Sequence, residues 1–387
     1  MSVQFSPFDY AIHEDPFPVY ARLLEEAPLY RNDADDFWAL SRHEDVAAAL
    51  QDFARFSSSH GPLLDEVFWG PQASQSISFV AMDPPAHTPL RTLVSRGFTA
   101  RRVAALEPRI REIARRHLEE ALERGGAFDF IEGFAARMPL DVVSELVGVP
   151  ESDRDDIRRL AAVSLTRQDG SQEVLQESID AGAALTDYYA RLIATRRQAP
   201  TDDMVSVLIE ELSDQEIIPI LFVLLAAGSE TTTNLLGHAM YWAWRFPDQM
   251  AKGLGGAAAA WVEEGLRYDP PAVGVGRLLM EDIELYGTRV PAGARMWLSI
   301  GAANRDPRAF PDPDSFDLER DTSKLLSFGA GRHFCMGSTL GKLEARIALE
   351  ELAAVVSGYE IDPDGVRRSH MGNVRGFATL PVVVKPR

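Results

Sequence analysis

The sequence of 387 residues predicts a mostly α-helical (α+β) protein, with a large helical lobe and a smaller β-rich lobe. Helical periodicity recurs between residues 89 and 245, and a hairpin pattern with glycine turns follows at 282–300. The tail from Val382 to Val384 is typical of a closing strand. Because we find no repeats and no low-complexity linker, we expect one domain spanning residues 1–387.

Several helices are predicted because apolar residues recur three or four positions apart. The first has Tyr20, Leu23 and Leu24 on one face, and the arginine-rich second one stops at a glycine pair. The expected helices are 15–27, 89–125, two or three within 139–210 including a long one from Glu173 to Arg197, 213–245, and one from near Cys335 to Val356.

The helix at 213–245 is the longest of these. Ser213 and Glu216 have capping-box spacing at its start. Pro219 lies beyond the first turn, so we expect either a later start or a kink. At about 1.5 Å per residue, such a helix crosses the whole protein.

The remaining segments are predicted as strands or irregular structure. Residues 37–41 form a short strand, and 304–320 have no period. Residues 57–86 also lack a period but keep large apolar side chains, which favours a binding loop over a linker.

Composition excludes some classes of function. The net charge of −19 argues against binding nucleic acid through overall charge, and the single cysteine excludes intramolecular disulfides and multi-thiolate zinc sites. No signal peptide is visible at the N-terminus, and the longest apolar stretch, Ile217–Ala227, is short of the roughly 20 residues that a membrane span needs. We therefore expect a soluble, cytoplasmic protein without a membrane span.

Cys335 lies in the segment Phe-Gly-Ala-Gly-Arg-His-Phe-Cys-Met-Gly, from Phe328 to Gly337. Glycines permit positive φ and close approach of the backbone to a flat ligand, and free amides at a helix N-terminus stabilise a thiolate. The pattern is compatible with a poised metal ligand or nucleophile, and also with an inert buried cysteine in a glycine-rich turn.

Three further motifs carry polar residues in unusual places. Ala227-Gly-Ser-Glu-Thr-Thr232 interrupts the long apolar helix, which favours a buried acid–alcohol pair at Glu230 and Thr231 over a solvated face. Glu264 and Arg267 are three apart on a predicted helix, the spacing of an ion pair. His87 and Arg91 are four apart, so they share a helical face.

Together these segments resemble the cytochrome P-450 superfamily of soluble bacterial type, and the resemblance spans nearly the whole chain. It implies the cytochrome P-450 fold, haem b (iron protoporphyrin IX) as cofactor and Cys335 as the axial ligand of its iron. Glu264 and Arg267 correspond to the family's structural pair. By resemblance, the cofactor-binding residues are His87, Arg91, Gly228, Arg277, Phe328, Gly329, His333 and Gly337, with His87, Arg91, Arg277 and His333 at the propionates.

The resemblance also implies the reaction. A monooxygenase of this family inserts one oxygen atom from O2 into an apolar organic molecule, with electrons from a ferredoxin and its reductase. Thr231 would hydrogen-bond the dioxygen and Glu230 would relay protons. A terpenoid or steroid-like substrate is favoured because we see no charged anchor. The candidate substrate residues are Phe68, Trp69, Phe79, Val80, Leu224, Ala227, Val273 and Val275. By resemblance, substrate selectivity resides in the segments 57–80 and 160–205.

Two alternatives keep the haem-thiolate centre. One is a peroxygenase driven by hydrogen peroxide, although such relatives tend to lack the acid–alcohol pair. The other is a haem-thiolate sensor or binding protein that does not turn over, in which Glu230 and Thr231 would have no purpose.

The sequence departs from the family pattern at Ser315, where an arginine often completes a network with the Glu264–Arg267 pair. We expect another arginine, Arg320, to replace it. Residues 91–124 hold nine arginines and five glutamates, which predicts a docking face for an acidic ferredoxin, with Arg96, Arg101 and Arg102 as contacts.

Overall fold

A computed structural model of the chain describes residues 2–65, 68–123, 125–165, 175–370 and 373–387. Helices dominate and the strands form small sheets beside them, which confirms the predicted mostly α-helical (α+β) class. The α-helices in these ranges are α1 Tyr10–Glu14, α2 Phe17–Glu26, α3 His43–Gln51, α4 Ala73–Ile77, α5 His87–Ser95, α6 Ala100–Ala105, α7 Glu107–Leu122, α8 Arg137–Val147, α9 Arg154–Leu165, α10 Gln176–Gln198, α11 Met204–Leu208, α12 Asp214–Arg245, α13 Pro247–Leu254, α14 Ala258–Tyr268, α15 Ile300–Ala303 and α16 Ser338–Val355.

The described strands form four small sheets. They are β1 Leu29–Asn32, β2 Phe37–Leu40, β3 Phe56–Ser57, β4 Ala127–Asp129, β5 Val275–Leu279, β6 Ile283–Leu285, β7 Thr288–Val290, β8 Arg295–Leu298, β9 Val356–Ile361, β10 Arg367–His370, β11 Arg375–Thr379 and β12 Pro381–Pro386. The largest sheet has the order β1-β2-β8-β5-β3, and a second has the order β4-β12-β9. The pairs β6-β7 and β10-β11 complete the set.

The predicted continuous helix over 89–125 is wrong, because the segment divides into α5, α6 and α7. The Thr99 side chain accepts a hydrogen bond from the Arg102 amide and so caps a new helix, and Pro108 occupies the first turn of α7. Within 139–210 there are more helices than the two or three expected, and the predicted start of the long one at Glu173 lies outside the described residues.

Helix α12 forms the centre of the core. The predicted capping box between Ser213 and Glu216 is present, and the helix begins at Asp214 with Pro219 inside it, so its start is not delayed. By length and composition α12 could cross a membrane, but a core helix of a folded protein meets the same criteria. It packs against α8, α10, α14 and α16 in the protein interior, and this packing accounts for its apolar residues.

The predicted hairpin at 282–300 is confirmed only in part. Strands β6 and β7 pair as expected, whereas β8 leaves them and pairs with β5 and, in parallel, with β2. The last long helix begins at Ser338, three residues after Cys335, so the cysteine lies in the loop that leads into α16. That loop brings Cys335 close to the middle of α12.

Candidate active site

A cavity of about 330 Å³ lies between α12, α16 and the loop that contains Cys335. Most of the residues predicted from the sequence for cofactor, oxygen or substrate line it. These are Phe79, Val80, Arg91, Leu224, Ala227, Gly228, Thr231, Val275, Arg277, Phe328, Gly329, His333, Cys335 and Gly337. Residues that are distant in the sequence therefore share one space.

Other predicted residues lie outside the cavity lining. Phe68 packs against the small apolar cluster of Ala73, Ile77 and Ala81, and the guanidinium carbon of Arg295 lies 5.4 Å from the centre of the Trp69 ring. Val273 is buried, and its amide bonds to the Asn373 carbonyl. The predicted catalytic residue Glu230 and the predicted cofactor residue His87 also lie outside the lining. The structure thus separates these five residues from the cavity surface.

The loop around Cys335 is shaped for close approach to a ligand. Gly329 and Gly331 have φ of +69° and +67°, the left-handed region that favours glycine. The Cys335 amide donates to the Phe328 carbonyl at 2.8 Å, and this bond holds the loop closed. Burial raises the pKa of the Cys335 thiol, while the amides of Gly337 and Ser338 and the charge of Arg91 act against that rise. The sulfur faces the cavity with hydrogen-bond donors behind it, as a thiolate ligand requires.

Cys335, Arg91, Arg277 and His333 line the cavity, and we call them the basic end together with His87, which does not line it but packs against His333. The rings of His87 and His333 are 4.5 Å apart, and within the described chain both His87 nitrogens and Nε2 of His333 have no hydrogen-bond partner. Burial lowers the pKa of Arg277 to about 10 and, with the nearby cations, lowers that of His333 to about 3.

The charges at this end are only partly balanced by protein groups. Burial lowers the pKa values of both His87 and Arg277, and the charge of Asp83 opposes this only in part. The Asp83 carboxylate already accepts hydrogen bonds from Ser57 and the Ser58 amide.

Arg277 donates to the Gly276 carbonyl and Arg91 donates to the Phe334 carbonyl, but neither forms an ion pair with a carboxylate of the described residues. Buried cations without a counter-charge are costly, so this end suits a ligand with carboxylates. A haem, with two propionates and an iron that takes a thiolate, matches this set of donors.

We call Phe79, Val80, Leu224, Ala227 and Val275 the apolar wall. They come from three separate segments, and all of them line the same cavity. Their side chains offer no hydrogen bond. An apolar molecule therefore gains from this surface by contact and burial alone.

The polar segment of α12 has hydroxyl groups that bond back to the helix. The Thr231 hydroxyl donates to the Ala227 carbonyl at 2.7 Å, and the Ser229 hydroxyl donates to the Leu225 carbonyl at 2.8 Å. Such bonds locally distort a helix. Burial raises the pKa of Glu230. The acid and the alcohol are adjacent, but only Thr231 reaches the cavity.

Glu264 and Arg267 form a fully buried ion pair with a 2.7 Å N–O distance. Arg320 completes the network expected from the sequence, since its Nε lies 3.3 Å from a Glu264 oxygen and it donates to the Ser315 carbonyl at 3.1 Å. The Glu264 carboxylate also accepts from the Asp317 amide. Ser315 therefore takes part through its backbone.

The arginine-rich segment is less free than its composition indicated. Arg96 pairs with Glu211 at 2.7 Å, and Arg102 pairs with Asp202 at 2.9 Å. Helix α7 contains four more arginines that form ion pairs with acids of other segments, namely Arg109, Arg111, Arg115 and Arg116. Arg101 is exposed, and no described residue forms an ion pair with it.

The family model described as Cytochrome P450 matches residues 258–381, the part of the chain that includes Cys335. A protein named "Putative cytochrome P450 123" from Mycobacterium tuberculosis is 46% identical, covering 98% of this chain and 97% of its own. The chain belongs to the cytochrome P450 family. Cytochrome P450 107B1 of Saccharopolyspora erythraea is 38% identical over 97% of this chain and 96% of its own.

The fold agrees with that membership. The structure of cytochrome P450 CYP109Q5 from Chondromyces apiculatus superimposes with a TM-score of 0.90 at 32% identity and covers 100% of both chains. This cytochrome P450 is thus a monooxygenase with a haem-thiolate cofactor, which takes small-molecule substrates, O2 and a redox partner.

Several residues of the cavity were missed from the sequence. They include Val143, Val223, Thr232, Leu340, Gly341 and Glu344. Gly337, Leu340, Gly341 and Glu344 follow helical spacing, a signal that could have marked one face of α16. Val143 had no such signal, because only the packing of α8 against α12 brings it to the cavity.

Proposed function

We propose that this cytochrome P450 inserts one oxygen atom from O2 into a neutral, apolar organic molecule, with hydroxylation as the expected outcome. The observation that carries the proposal is the division of one cavity into a basic end around Cys335 and an apolar wall. We further propose haem b as the cofactor, a single catalytic domain over residues 1–387, and a cytoplasmic location.

The residues of the basic end are proposed to hold the cofactor. Cys335 would bind the iron, and His87, Arg91, Arg277 and His333 would donate to the two propionates. Bound haem supplies the redox chemistry that activates dioxygen, and thiolate ligation favours cleavage of the O–O bond. The flat ring would be accommodated by residues with small or planar groups, which are Gly228, Phe328, Gly329 and Gly337.

We propose that Glu230 and Thr231 deliver protons to the reaction. The Thr231 hydroxyl faces the cavity, and rotation away from the Ala227 carbonyl would free it as a donor. Because its pKa is raised, Glu230 keeps its proton closer to neutral pH than an ordinary glutamic acid does, as a proton donor requires. Since Glu230 does not line the cavity, its proton would have to reach Thr231 through water or by a side-chain rotation.

For the substrate we propose a terpenoid or steroid-like molecule. The apolar wall has no charged anchor, and cytochrome P450 CYP109E1 from Bacillus megaterium, solved in complex with testosterone, has a TM-score of 0.87 at 28% identity. A polyketide is the second candidate, because the polyketide biosynthesis cytochrome P450 PksS of Bacillus subtilis is 32% identical over 98% of this chain and 98% of its own. Phe68, Trp69 and Val273 do not line the cavity, so they would affect substrate binding only by supporting the residues of the apolar wall.

A spectral binding screen tests both the function and the substrate class. Purified protein with haem is titrated with neutral steroids, terpenoids and macrolides, and with charged analogues of each as matched controls. Neutral ligands that displace iron-bound water should shift the main haem band, while their charged analogues should bind more weakly. Equal binding of charged and neutral analogues would contradict the proposed role of the apolar wall.

The electron donor is proposed to be a ferredoxin with its reductase, docking on the face that contains residues 91–123. The helix that carries Arg91 contacts the Cys335 loop, because the Arg91 guanidinium donates to the Phe334 carbonyl. Two alternatives are separated by turnover assays. A peroxygenase would form product with hydrogen peroxide faster than with O2 and reduced ferredoxin, and a sensor would form product with neither.

A further inference from the structure

Asp83 lies next to the basic end, and the proposed function assigns it no role. It is four positions before the first residue of α5, and an aspartate near a helix start commonly accepts hydrogen bonds from the first helical amides. The N-cap residue of α5 is instead Ala86, and no side-chain hydrogen bond caps the helix there. The Asp83 carboxylate bonds to residues 25 and 26 positions earlier in the chain, so its role is tertiary.

Both oxygens of the Asp83 carboxylate accept hydrogen bonds from the end of β3. The Ser57 hydroxyl donates to Oδ2, and the Ser58 amide donates to Oδ1 at 3.0 Å. The Ser57 hydroxyl oxygen in turn accepts from the Ser59 amide at 3.0 Å, which fixes the orientation of that hydroxyl. Ser57 and Ser58 are each 1% exposed, so these hydrogen bonds are shielded from water.

On its own side of this contact, Asp83 is tied to His87. The Asp83 carbonyl accepts from the His87 amide at 3.0 Å. Pro84 and Pro85 lie between the two residues, and a proline ring fixes φ, so few backbone rotations separate Asp83 from α5. The position of Asp83 therefore determines where the His87 ring lies.

On the other side of the contact, Ser57 is tied to the strand of Arg277. Strands β3 and β5 are antiparallel, and their register places Ser57 opposite Leu278, the residue after Arg277. Strand β3 is at the edge of its sheet and has only two residues. Because so short a pairing supplies few ladder hydrogen bonds, the bonds to Asp83 add to what holds β3 in place. Asp83 thus joins the segment of His87 to the segment of Arg277.

We propose that Asp83 is a positioning residue that holds His87 and Arg277 at a fixed separation. It acts through its hydrogen bonds to Ser57 and Ser58. This inference rests on the proposed function, in which His87 and Arg277 donate to the haem propionates. Because Asp83 acts by geometry, asparagine can replace it: its oxygen accepts from the Ser58 amide, and its NH2 group donates to the Ser57 hydroxyl.

Four variants of the full-length, haem-containing protein test the inference, namely Ser57→Ala, Ser58→Ala, Asp83→Ala and Asp83→Asn. We measure the rate of haem transfer to an acceptor protein. Ser57→Ala should release haem about fivefold faster than the parent, the factor for loss of one net hydrogen bond, and Asp83→Ala about twentyfold faster, since two are lost. Asp83→Asn should stay within about twofold of the parent, because both bonds can still form.

Ser58→Ala is the matched control for Ser57→Ala. Within the described chain, the Ser58 hydroxyl has no hydrogen-bond partner, and the substitution retains the amide that donates to Asp83. Its haem release should equal that of the parent. The two variants each remove one hydroxyl from neighbouring positions, so a difference between them measures the bond to Asp83.

The results separate positioning from a role of the charge. If Asp83→Asn releases haem as fast as Asp83→Ala, the negative charge is what matters and the positioning role is wrong. Equal release rates in Ser57→Ala and Ser58→Ala also overturn it. Should Asp83→Ala fail to fold, the other three variants still decide. Failure of the proposed function itself would appear separately, as absence of the thiolate carbonyl band in the parent.

Amide hydrogen exchange gives a readout that needs no haem. The Ser58 amide should be protected in the parent both with and without haem, because its acceptor is a protein group. Its exchange should be about tenfold faster in Asp83→Ala and close to that of the parent in Asp83→Asn. Parent-like exchange in Asp83→Ala would show that this bond does not hold the two segments together, which contradicts the proposal.

Discussion

The basic end and the apolar wall belong to one cavity but differ in how strictly they define a ligand. At the basic end, the His87 nitrogens and Nε2 of His333 have no hydrogen-bond partner in the described part of the chain, and Cys335 presents a sulfur, so charge, geometry and ligand type are all specified. The apolar wall specifies only shape, because hydrophobic contact has no direction. Directional groups thus identify a cofactor from a few residues, whereas an apolar surface leaves many substrates possible.

The strongest test of the basic end is Cys335→Ser. Cys335 is the only cysteine, so no other thiol can replace it. We expect complete loss of the long-wavelength ferrous carbonyl band typical of thiolate ligation, measured by difference spectroscopy. If the band remained in the variant, Cys335 would not be the ligand.

Arg277→Met tests whether the charges at the basic end hold the cofactor. Hydrogen bonds to charged groups contribute about 1.5–3 kcal/mol, so haem should dissociate about tenfold to a hundredfold more readily. Haem transfer to an acceptor protein measures this rate. Arg101→Met, a change at an exposed arginine, is the matched control and should leave haem retention unchanged.

Thr231→Ala tests a residue that lines the same cavity but belongs to neither the basic end nor the apolar wall. The variant should keep its carbonyl band and its substrate affinity but lose about tenfold in product per reductant, with a matching rise in hydrogen peroxide. Assays of reductant, product and peroxide give the ratio. Unchanged coupling would show that protons arrive by a route that does not include Thr231.

Val80→Ala tests the apolar wall. Removing two methyl groups from a contact surface costs about 1–1.5 kcal/mol, so the Kd of a bound apolar ligand should rise about fivefold to tenfold. The carbonyl band should not change. Val207→Ala is the matched control, since Val207 packs against the same core cluster but does not line the cavity. Equal effects of the two variants would mean that Val80 acts through stability.

The smallest effect is expected at the docking face, outside both regions. Arg101→Glu should slow reduction by an acidic ferredoxin about threefold at low salt, and the difference should shrink as salt screens the charges. Arg96→Glu and Arg102→Glu should have smaller effects on docking, because these side chains already pair with Glu211 and Asp202. If all three variants match the parent in rate and salt slope, the ferredoxin docks elsewhere.

Local chemistry made part of the fold and the site predictable. The capping box at Ser213 and Glu216 and the glycine-framed loop around Cys335 depend on neighbours in the sequence, and both are present in the structure. The division of 89–125 into three helices was also encoded locally, at Thr99 and Pro108, but the continuous arginine-rich pattern hid it. Such signals act over a few residues, so a single sequence contains them.

By itself, the sequence determined the helical class, the cysteine loop and the polar segment of α12, because these follow from spacing and backbone preference. Only the tertiary structure decided which distant residues meet. It moved β8 from its predicted hairpin into another sheet, kept Trp69 and Val273 out of the cavity, and paired Arg111 with Glu351, 240 positions away. It also brought Glu344 and Thr232 to the same cavity. These contacts depend on how helices and sheets pack, and a periodic pattern indicates that a face is buried without naming what lies against it.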